Sequence, residues 1–170
     1  MKPLPQSPPS GPVPPDTLGE HDGVTFQRER LAPILREILP LIRKDWEENG
    51  IGREAVPLVL DYDRYLNYDL AGILQLVTAR SHGALVGYIM GYVHTHIDHA
   101  DIPWTHLTWY WLYPEYRGNG VGHAMLKAME TFLRASGIKV VEASEKITSR
   151  HGMFERNGYI NTDIVKRKIL

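Results

Sequence analysis

Apolar positions along the chain follow two periods, close to 3.6 in some segments and close to two in others, which predicts helices mixed with strands. Helical spacing is clearest in the first third, at Leu31, Ile34, Leu35, Ile38, Ile42 and Trp46. Pro40 interrupts this stripe and cannot donate a helical hydrogen bond. We therefore predict two helices there, over residues 29–39 and 41–48.

Period-two or continuous apolar runs predict the strands. They cover residues 23–27, 73–79, 84–94, 106–113, 138–143 and 163–169. A turn at residues 81–83 joins the second and third strands. Further helices are predicted from Val121 to before Gly137 and over residues 149–157, whereas residues 54–70 fit either a short helix or a loop. The expected architecture is a mixed sheet with helices on both faces.

The N-terminal segment differs in kind from the rest. Seven of the first fifteen residues are proline, which removes backbone donors and leaves little apolar surface to bury. We predict a disordered, extended Pro-rich arm over residues 1–21 and one folded domain over residues 22–170.

Composition narrows the class of protein. A chain of 170 residues is long enough for one domain with a real core. The net charge of −1 disfavours a general nucleic-acid-binding surface. The absence of cysteine excludes disulfides, a cysteine nucleophile and thiolate metal sites. Neither a membrane-spanning run nor a signal-peptide core is visible, so a soluble cytoplasmic protein is expected.

The segment 116–122, Tyr-Arg-Gly-Asn-Gly-Val-Gly, lies between a predicted strand and a predicted helix. Glycines allow close backbone approach, and free N–H groups at a helix start attract phosphate. A Walker A loop would need lysine where His123 stands, and a dinucleotide fingerprint would need its third glycine there. Glu142 does follow at the distance of a ribose-binding acid, but the upstream strands form a hairpin rather than repeated βαβ units. A phosphorylated cofactor is expected.

The pattern Arg117-x-x-Gly120-x-Gly122 after a strand and Pro114 resembles the acetyl-CoA motif of the GNAT family of N-acetyltransferases. Residues 79–93 (ARSHGALVGYIMGYV) resemble the family's central hairpin, and residues 153–160 (MFERNGYI) its closing element. The resemblance covers about residues 24–170. It implies a GNAT fold of the mixed α/β class, with a central, mostly antiparallel twisted sheet of six to seven strands and about four helices.

The same resemblance implies a cofactor site for acetyl-CoA. The backbone amides of the glycine turn would cradle the pyrophosphate; these residues are Arg117, Gly118, Asn119, Gly120, Val121 and Gly122. The Leu112 amide would hold the thioester carbonyl, with Trp111 and Tyr113 flanking the pantetheine arm. The implied reaction is direct attack by a primary amine in a ternary complex, the amine belonging to a small molecule, a polyamine, or a protein lysine or N-terminus.

An amine must lose a proton before it attacks, so a base is required. His106 is the first candidate, because it begins the strand and lies six residues before Leu112, where some family members carry a glutamate or histidine base. Glu142 and Glu145, near the end of the next strand, are the second-choice candidates for the base. A partly exposed histidine at a strand end with no catalytic role remains an alternative.

The proton donor departs from the family pattern. Phe154 stands where the family has its tyrosine, and phenylalanine has no proton to give. Three alternatives stay open. His151, Ser149 or Tyr159 protonates the thiolate; the thiolate leaves without help; or the domain binds CoA with weak catalysis.

A histidine- and aspartate-rich segment follows the predicted hairpin; its members are His94, His96, Asp98, His99, Asp101 and His106. We expect it to form a loop between two strands that contacts substrate. Histidines two apart also share a strand face as metal ligands do, so a metal-binding domain is the lesser alternative, and no residue is assigned as a ligand.

Substrate and partners are weakly indicated. Acidic and aromatic side chains gather around the second predicted helix and the segment that follows, namely Asp45, Glu47, Glu48, Asp61, Tyr62, Asp63, Tyr65, Tyr68 and Asp69. They suit a cationic amine acceptor, or equally an ordinary solvated helix surface. We expect no nucleic-acid or membrane partner, and by the family resemblance a homodimer is plausible.

Overall fold

The structure, a computed structural model, describes residues 16–50, 56–145, 152–163, 165 and 168. Six strands run through these residues: β1 (Asp16–His21), β2 (Val24–Arg28), β3 (Leu74–Ser81), β4 (Ala84–His96), β5 (His99–Leu112) and β6 (Val140–Ala143). The four α-helices among them are α1 (Leu31–Asn49), α2 (Tyr62–Leu70), α3 (Val121–Ala135) and α4 (Met153–Arg156). A 3₁₀ turn, Pro114–Tyr116, lies between β5 and α3.

The six strands form one sheet in chain order, from β1 at one edge to β6 at the other. Neighbours are antiparallel except β5 and β6, which run parallel. A parallel neighbour requires a crossover, and α3 supplies it between β5 and β6. The predicted mixed, mostly antiparallel sheet with about four helices is confirmed.

Both faces of the sheet are buried, each under a different helix. The α1 side of the core contains Leu31, Ile34, Ile38, Leu41, Ile42, Leu74, Leu76, Leu85, Tyr88, Met90 and Trp111. On the opposite face, α3 packs Val121, Met125, Met129 and Phe132 against alternate residues of the same strands. Burial on both faces fixes the position of β5, which carries most of the site.

The predicted break at Pro40 is wrong, because α1 continues without interruption through it. Pro40 is exposed, while the apolar stripe resumes immediately with Leu41 and Ile42 in the core. Packing of that stripe outweighs one missing backbone hydrogen bond. Tertiary burial, rather than local propensity, decides the length of the helix.

The predicted start of the folded domain, at Asp22, is also too late. Residues 16–21 form β1, which pairs antiparallel with β2 through the turn at Asp22 and Gly23. These two residues have φ of 50° and 72°, as a two-residue hairpin turn requires. β1 is largely exposed, so it carries little hydrophobic pattern for the sequence to reveal. The rest of the predicted arm, residues 1–15, lies outside the described residues.

The expected loop around His94 is a hairpin instead. β4 runs to His96 and β5 starts at His99, with only Ile97 and Asp98 between them. The hydrophobic pattern did not predict these strand ends because their side chains are polar. The backbone still pairs there, since strand preference depends strongly on context. Of the helix predicted over residues 149–157, the described part contains α4, and residues 149–151 lie outside the described residues. The strand predicted over residues 163–169 also falls mainly outside them.

None of the described helices has both the length and the apolar character needed to cross a lipid bilayer.

Replacing Pro40 by alanine tests how α1 is held. Pro40→Ala restores a helical N–H and should raise the free energy of unfolding by about 1–2 kcal/mol, after the loss of proline's restraint on the unfolded chain. Thermal or urea unfolding measures it. Pro33→Ala is the matched control, because Pro33 lies in the first turn of α1, where the N–H has no helical partner. Equal effects of the two changes would contradict this account.

Candidate active site

A cleft opens where β5 and β6 separate. Their parallel pairing covers four residue pairs and ends at Leu107 and Ala143. The next residue, Ser144, still donates its backbone N–H to the Leu107 carbonyl at 3.0 Å. β5 continues to Leu112, well past the end of β6. The second half of β5 therefore has one edge turned toward an open slot.

Backbone donors of β5 point into this slot. The Tyr113 N–H donates to the Val86 carbonyl of β4 at 3.0 Å. Successive N–H groups of a strand point in opposite directions, so those of Leu112 and Tyr110 are directed away from β4. They are available to a carbonyl or amide of a ligand lying along β5.

The glycine turn forms one end of the cleft. Gly118 and Gly120 have φ of 84° and 92°, which glycine alone adopts without strain. A Cβ on Gly120 would also lie 2.8 Å from Nε2 of His21. α3 begins at Val121, and its first turn holds no acidic residue. The helix start thus offers free N–H groups and a favourable dipole to an anion.

The β1–β2 turn holds the glycine turn in place. Nε2 of His21 lies 2.9 Å from the Asn119 carbonyl oxygen. The Asn119 side-chain amide donates to Oδ2 of Asp22 at 2.7 Å. These contacts were not predicted. The Asp22-Gly23 pair is a recognisable hairpin signal that could have predicted β1 as the strand paired with β2.

Arg117 is bound to the protein by three contacts. Its Nε donates to the Leu112 carbonyl at 2.7 Å, and its two terminal nitrogens donate to the Glu48 carboxylate at 2.6 and 2.8 Å. The hydrogen bonds to Glu48 raise the pKa of Arg117 above its usual value. Trp111 donates its indole N–H to the same carboxylate at 2.9 Å. Glu48 was not predicted as a site residue, and it ties α1 to the glycine turn.

One cavity of about 1320 Å³ joins the parts of the site. Its wall includes the glycine turn, the open edge of β5, and residues of α1 and α2. On the helix side, the Tyr65 and Trp109 rings lie 5.8 Å apart, and Asp45 accepts a hydrogen bond from the Tyr88 hydroxyl at 3.0 Å. The Thr108 hydroxyl is buried in the wall without a hydrogen-bond partner among the described residues.

The structure brings two of the predicted catalytic residues together. Nδ1 of His106 lies 3.4 Å from Oε2 of Glu142 on the neighbouring strand, and its Nε2 lies 2.8 Å from Oγ of Ser144. Nε2 of His94 lies 3.7 Å from the same Glu142 oxygen. Ser144 was not predicted, although it follows a predicted strand end directly. The third predicted residue, His151, lies outside the described residues, as does Ser149.

Phe154 is buried and supplies only packing. Its ring meets Tyr110 edge-on at 5.5 Å between centroids and Tyr159 at 5.1 Å. Tyr110 also lines the cavity. Burial, together with the charges of Glu145 and Asp45, raises the pKa of Tyr110 to about 12 against the opposing effect of Arg117.

The metal alternative gains no support. Within residues 16–50, 56–145 and 152–163, no three or more His, Asp or Glu side chains are placed to hold a metal ion. His96 instead stacks on Trp104 at the end of the hairpin, with 5.4 Å between ring centroids, and meets the tilted ring of His99 at 5.6 Å.

Comparison with known proteins agrees with this geometry. The model of the acetyltransferase (GNAT) family matches residues 37–159, and the chain therefore belongs to that family.

Solved structures share the fold at low sequence identity. An aminoglycoside acetyltransferase from an uncultured soil metagenomic sample, in complex with sisomicin, aligns with a TM-score of 0.68 at 13% identity, covering 88% of this chain and 97% of its own. A predicted acetyltransferase from Clostridium acetobutylicum, with acetyl-CoA, gives 0.67 at 15%, covering 86% and 96%. Glucosamine-6-phosphate N-acetyltransferase from Arabidopsis thaliana gives 0.65 at 11%, covering 86% and 97%.

The raised pKa of Tyr110 predicts how the stability of the protein depends on pH. Unfolding releases Tyr110 to titrate near pH 10, whereas the folded protein keeps its proton to about pH 12. The folded state therefore binds more protons between those values, and its stability falls as pH rises. Tyr110→Phe should remove on the order of 2 kcal/mol of this loss. Urea unfolding of both proteins from pH 8 to the highest pH at which they remain folded tests it; parallel curves above pH 10 would contradict the assignment.

Proposed function

We propose that this acetyltransferase moves an acetyl group from acetyl-CoA to a primary amine, by direct attack in a ternary complex. The observation that supports this most is the single cavity that joins the glycine turn, the open edge of β5 and the acidic, aromatic region of α1 and α2. Two substrates can meet there, one against the glycine turn and the open edge of β5 and the other against α1 and α2.

The cofactor would lie along β5. The amides of Gly118, Asn119, Gly120, Val121 and Gly122 would form the cradle for its pyrophosphate. The N–H of Arg117, which the sequence also suggested, already donates to the Pro114 carbonyl at 3.1 Å. The Leu112 N–H holds the thioester carbonyl, where it stabilises the negative charge that develops on oxygen. Trp111 and Tyr113 flank the pantetheine arm. The unpartnered Thr108 hydroxyl is a further polar group available to a ligand in this slot.

His106 acts as the base, and the Glu142 carboxylate orients its ring. An amine arrives mostly as ammonium, so removing its proton produces the attacking species. Nitrogen attacks the carbonyl carbon, the C–S bond breaks, and CoA leaves as thiolate. The nitrogen, which is positively charged after the attack, loses its second proton to water and becomes the neutral amide. Because Phe154 offers no proton, CoA departs as the thiolate anion. The pKa of a thiol lies not far above neutral, about 8.5 for cysteine, which makes this departure tolerable.

The acceptor would be a cationic amine. Asp45 brings negative charge to the helix side of the cavity, whereas the charge of Glu48 is balanced by Arg117. Tyr65, Tyr68 and Trp109 bring aromatic faces. Aromatic faces and carboxylates both attract ammonium groups. The solved relative that binds sisomicin, an aminoglycoside, is consistent with such an acceptor.

The second candidate function is a CoA-binding module without turnover, which Phe154 favours. A thiol-release assay with acetyl-CoA and a panel of lysine peptides, polyamines and aminoglycosides separates the two functions. Release of CoA that depends on an amine supports the transferase. Tight acetyl-CoA binding with no release over the whole panel supports the binding module.

Gly122→Leu tests the cradle. Gly122 lies in the first turn of α3 with ordinary helical backbone, and a Cβ there would meet only Sδ of Met153 at 3.7 Å. Leucine should therefore fold normally yet fill the space of the pyrophosphate. We expect acetyl-CoA affinity, measured by calorimetric titration, to fall at least about tenfold, or about 1.4 kcal/mol.

The matched control is Thr131→Leu, which adds leucine at an exposed position of the same helix. Its affinity should equal that of the wild type. Unchanged affinity in Gly122→Leu would refute the cradle assignment.

A further inference from the structure

The hydrogen-bonded set Ser144–His106–Glu142 touches the cavity through only one of its members. Of these three described residues, Ser144 lines the cavity, whereas His106 and Glu142 are not part of its wall and are partly exposed outside it. Ser144 is exposed, and its backbone is fixed by the N–H bond to Leu107 at the last contact between β5 and β6. A substrate amine in the cleft therefore meets the Ser144 hydroxyl first.

The positions of the protons follow from the partners. A carboxylate only accepts hydrogen bonds, so we assign the ring proton of His106 to Nδ1, which lies 3.4 Å from Oε2 of Glu142. Nε2 is then the acceptor, and the Ser144 hydroxyl donates to it across 2.8 Å. The base nitrogen of His106 is thus already engaged by Ser144 rather than open to the cavity.

We propose that Ser144 relays the proton of the incoming ammonium group to His106. The ammonium passes a proton to Oγ of Ser144 while the hydroxyl proton of Ser144 moves to Nε2 of His106. Serine ends the step as a neutral hydroxyl, the amine is neutral and ready to attack, and His106 becomes imidazolium. The Glu142 carboxylate beside Nδ1 stabilises that new positive charge.

The groups around His106 favour this direction of transfer. Glu142 faces it from β6. From β4, the Tyr92 ring lies 5.5 Å away, and His94 shares the Glu142 oxygen at 3.7 Å. Glu142 supplies the negative charge that an imidazolium needs, while Tyr92 contributes a ring face. The relay rests on the proposed transferase function and adds to it a residue that touches the amine.

Ser144→Ala is the test, with the best acceptor found in the amine panel. We expect kcat to fall about 10²-fold near neutral pH, with the KM for acetyl-CoA unchanged. The loss should shrink toward pH 10.4, where a lysine-type amine is itself neutral in a large fraction of molecules. Ser144→Thr keeps a hydroxyl and should recover most of the rate. Ser81→Ala, the same change on β3 away from the cavity, is the control.

A double variant tests whether the two residues act on one path. His106→Gln alone should lose about as much as Ser144→Ala, and the pair together should lose little more. Full multiplication of the two losses, or a normal rate in Ser144→Ala, would overturn the relay while leaving the transferase intact.

A mass-spectrometric experiment tests whether Ser144 is a nucleophile instead. Acetyl-CoA without acceptor should leave Ser144 unmodified in intact-mass and peptide analysis, and an acetylated Ser144 would contradict the relay. A wild-type protein that binds no acetyl-CoA would instead defeat the proposed function itself.

Discussion

The early end of β6 is the constraint on which the site depends. Parallel pairing stops after Leu107 and Ala143, yet β5 must continue because its later residues are buried on both faces, Trp111 under α1 and Leu112 under α3. Backbone groups on the exposed edge of β5 then lack a strand partner. Since unpaired strand edges need hydrogen bonds, that edge suits an extended ligand that has its own amides and carbonyls.

Contacts outside the cleft hold its walls in position. α1 and α3 pack on opposite faces of the sheet, and their buried residues belong to two separate core clusters. Glu48 bridges that separation, because it binds Trp111 and Arg117 at once. The β1–β2 turn holds the glycine turn from the other side through Asn119. The same contacts that stabilise the fold therefore position the groups proposed to bind the cofactor.

Much of this arrangement was predictable from local pattern. The glycine turn, the strand before it and α3 follow from short-range signals in residues 106–137, and they form the half of the site that would bind cofactor. What was missed depends on contacts distant in sequence. Glu48 meets Arg117 across 69 positions, and His106 meets Ser144 across 38; no local spacing encodes either contact. The helix break predicted at Pro40 was wrong for the opposite reason, because burial of Leu41 and Ile42 outweighs a strong local signal.

The loop predicted for the histidine-rich segment is wrong, and the metal alternative has no supporting cluster among the described residues. Strand pairing separates His96 from His106 along a long hairpin, so the histidines divide between the stacked end near Trp104 and the carboxylate of Glu142. A cluster in sequence became two small groups in space. One of them meets the cleft through Ser144, which gives the segment a role in the proposed proton transfer.

The most direct measurement is a crystal structure of the protein with CoA. This account predicts the pantetheine arm in the slot between the second half of β5 and Ser144, with the pyrophosphate on the amides of residues 118–122. CoA bound elsewhere on the surface, or an occupied slot with the glycine turn free of phosphate, would contradict it.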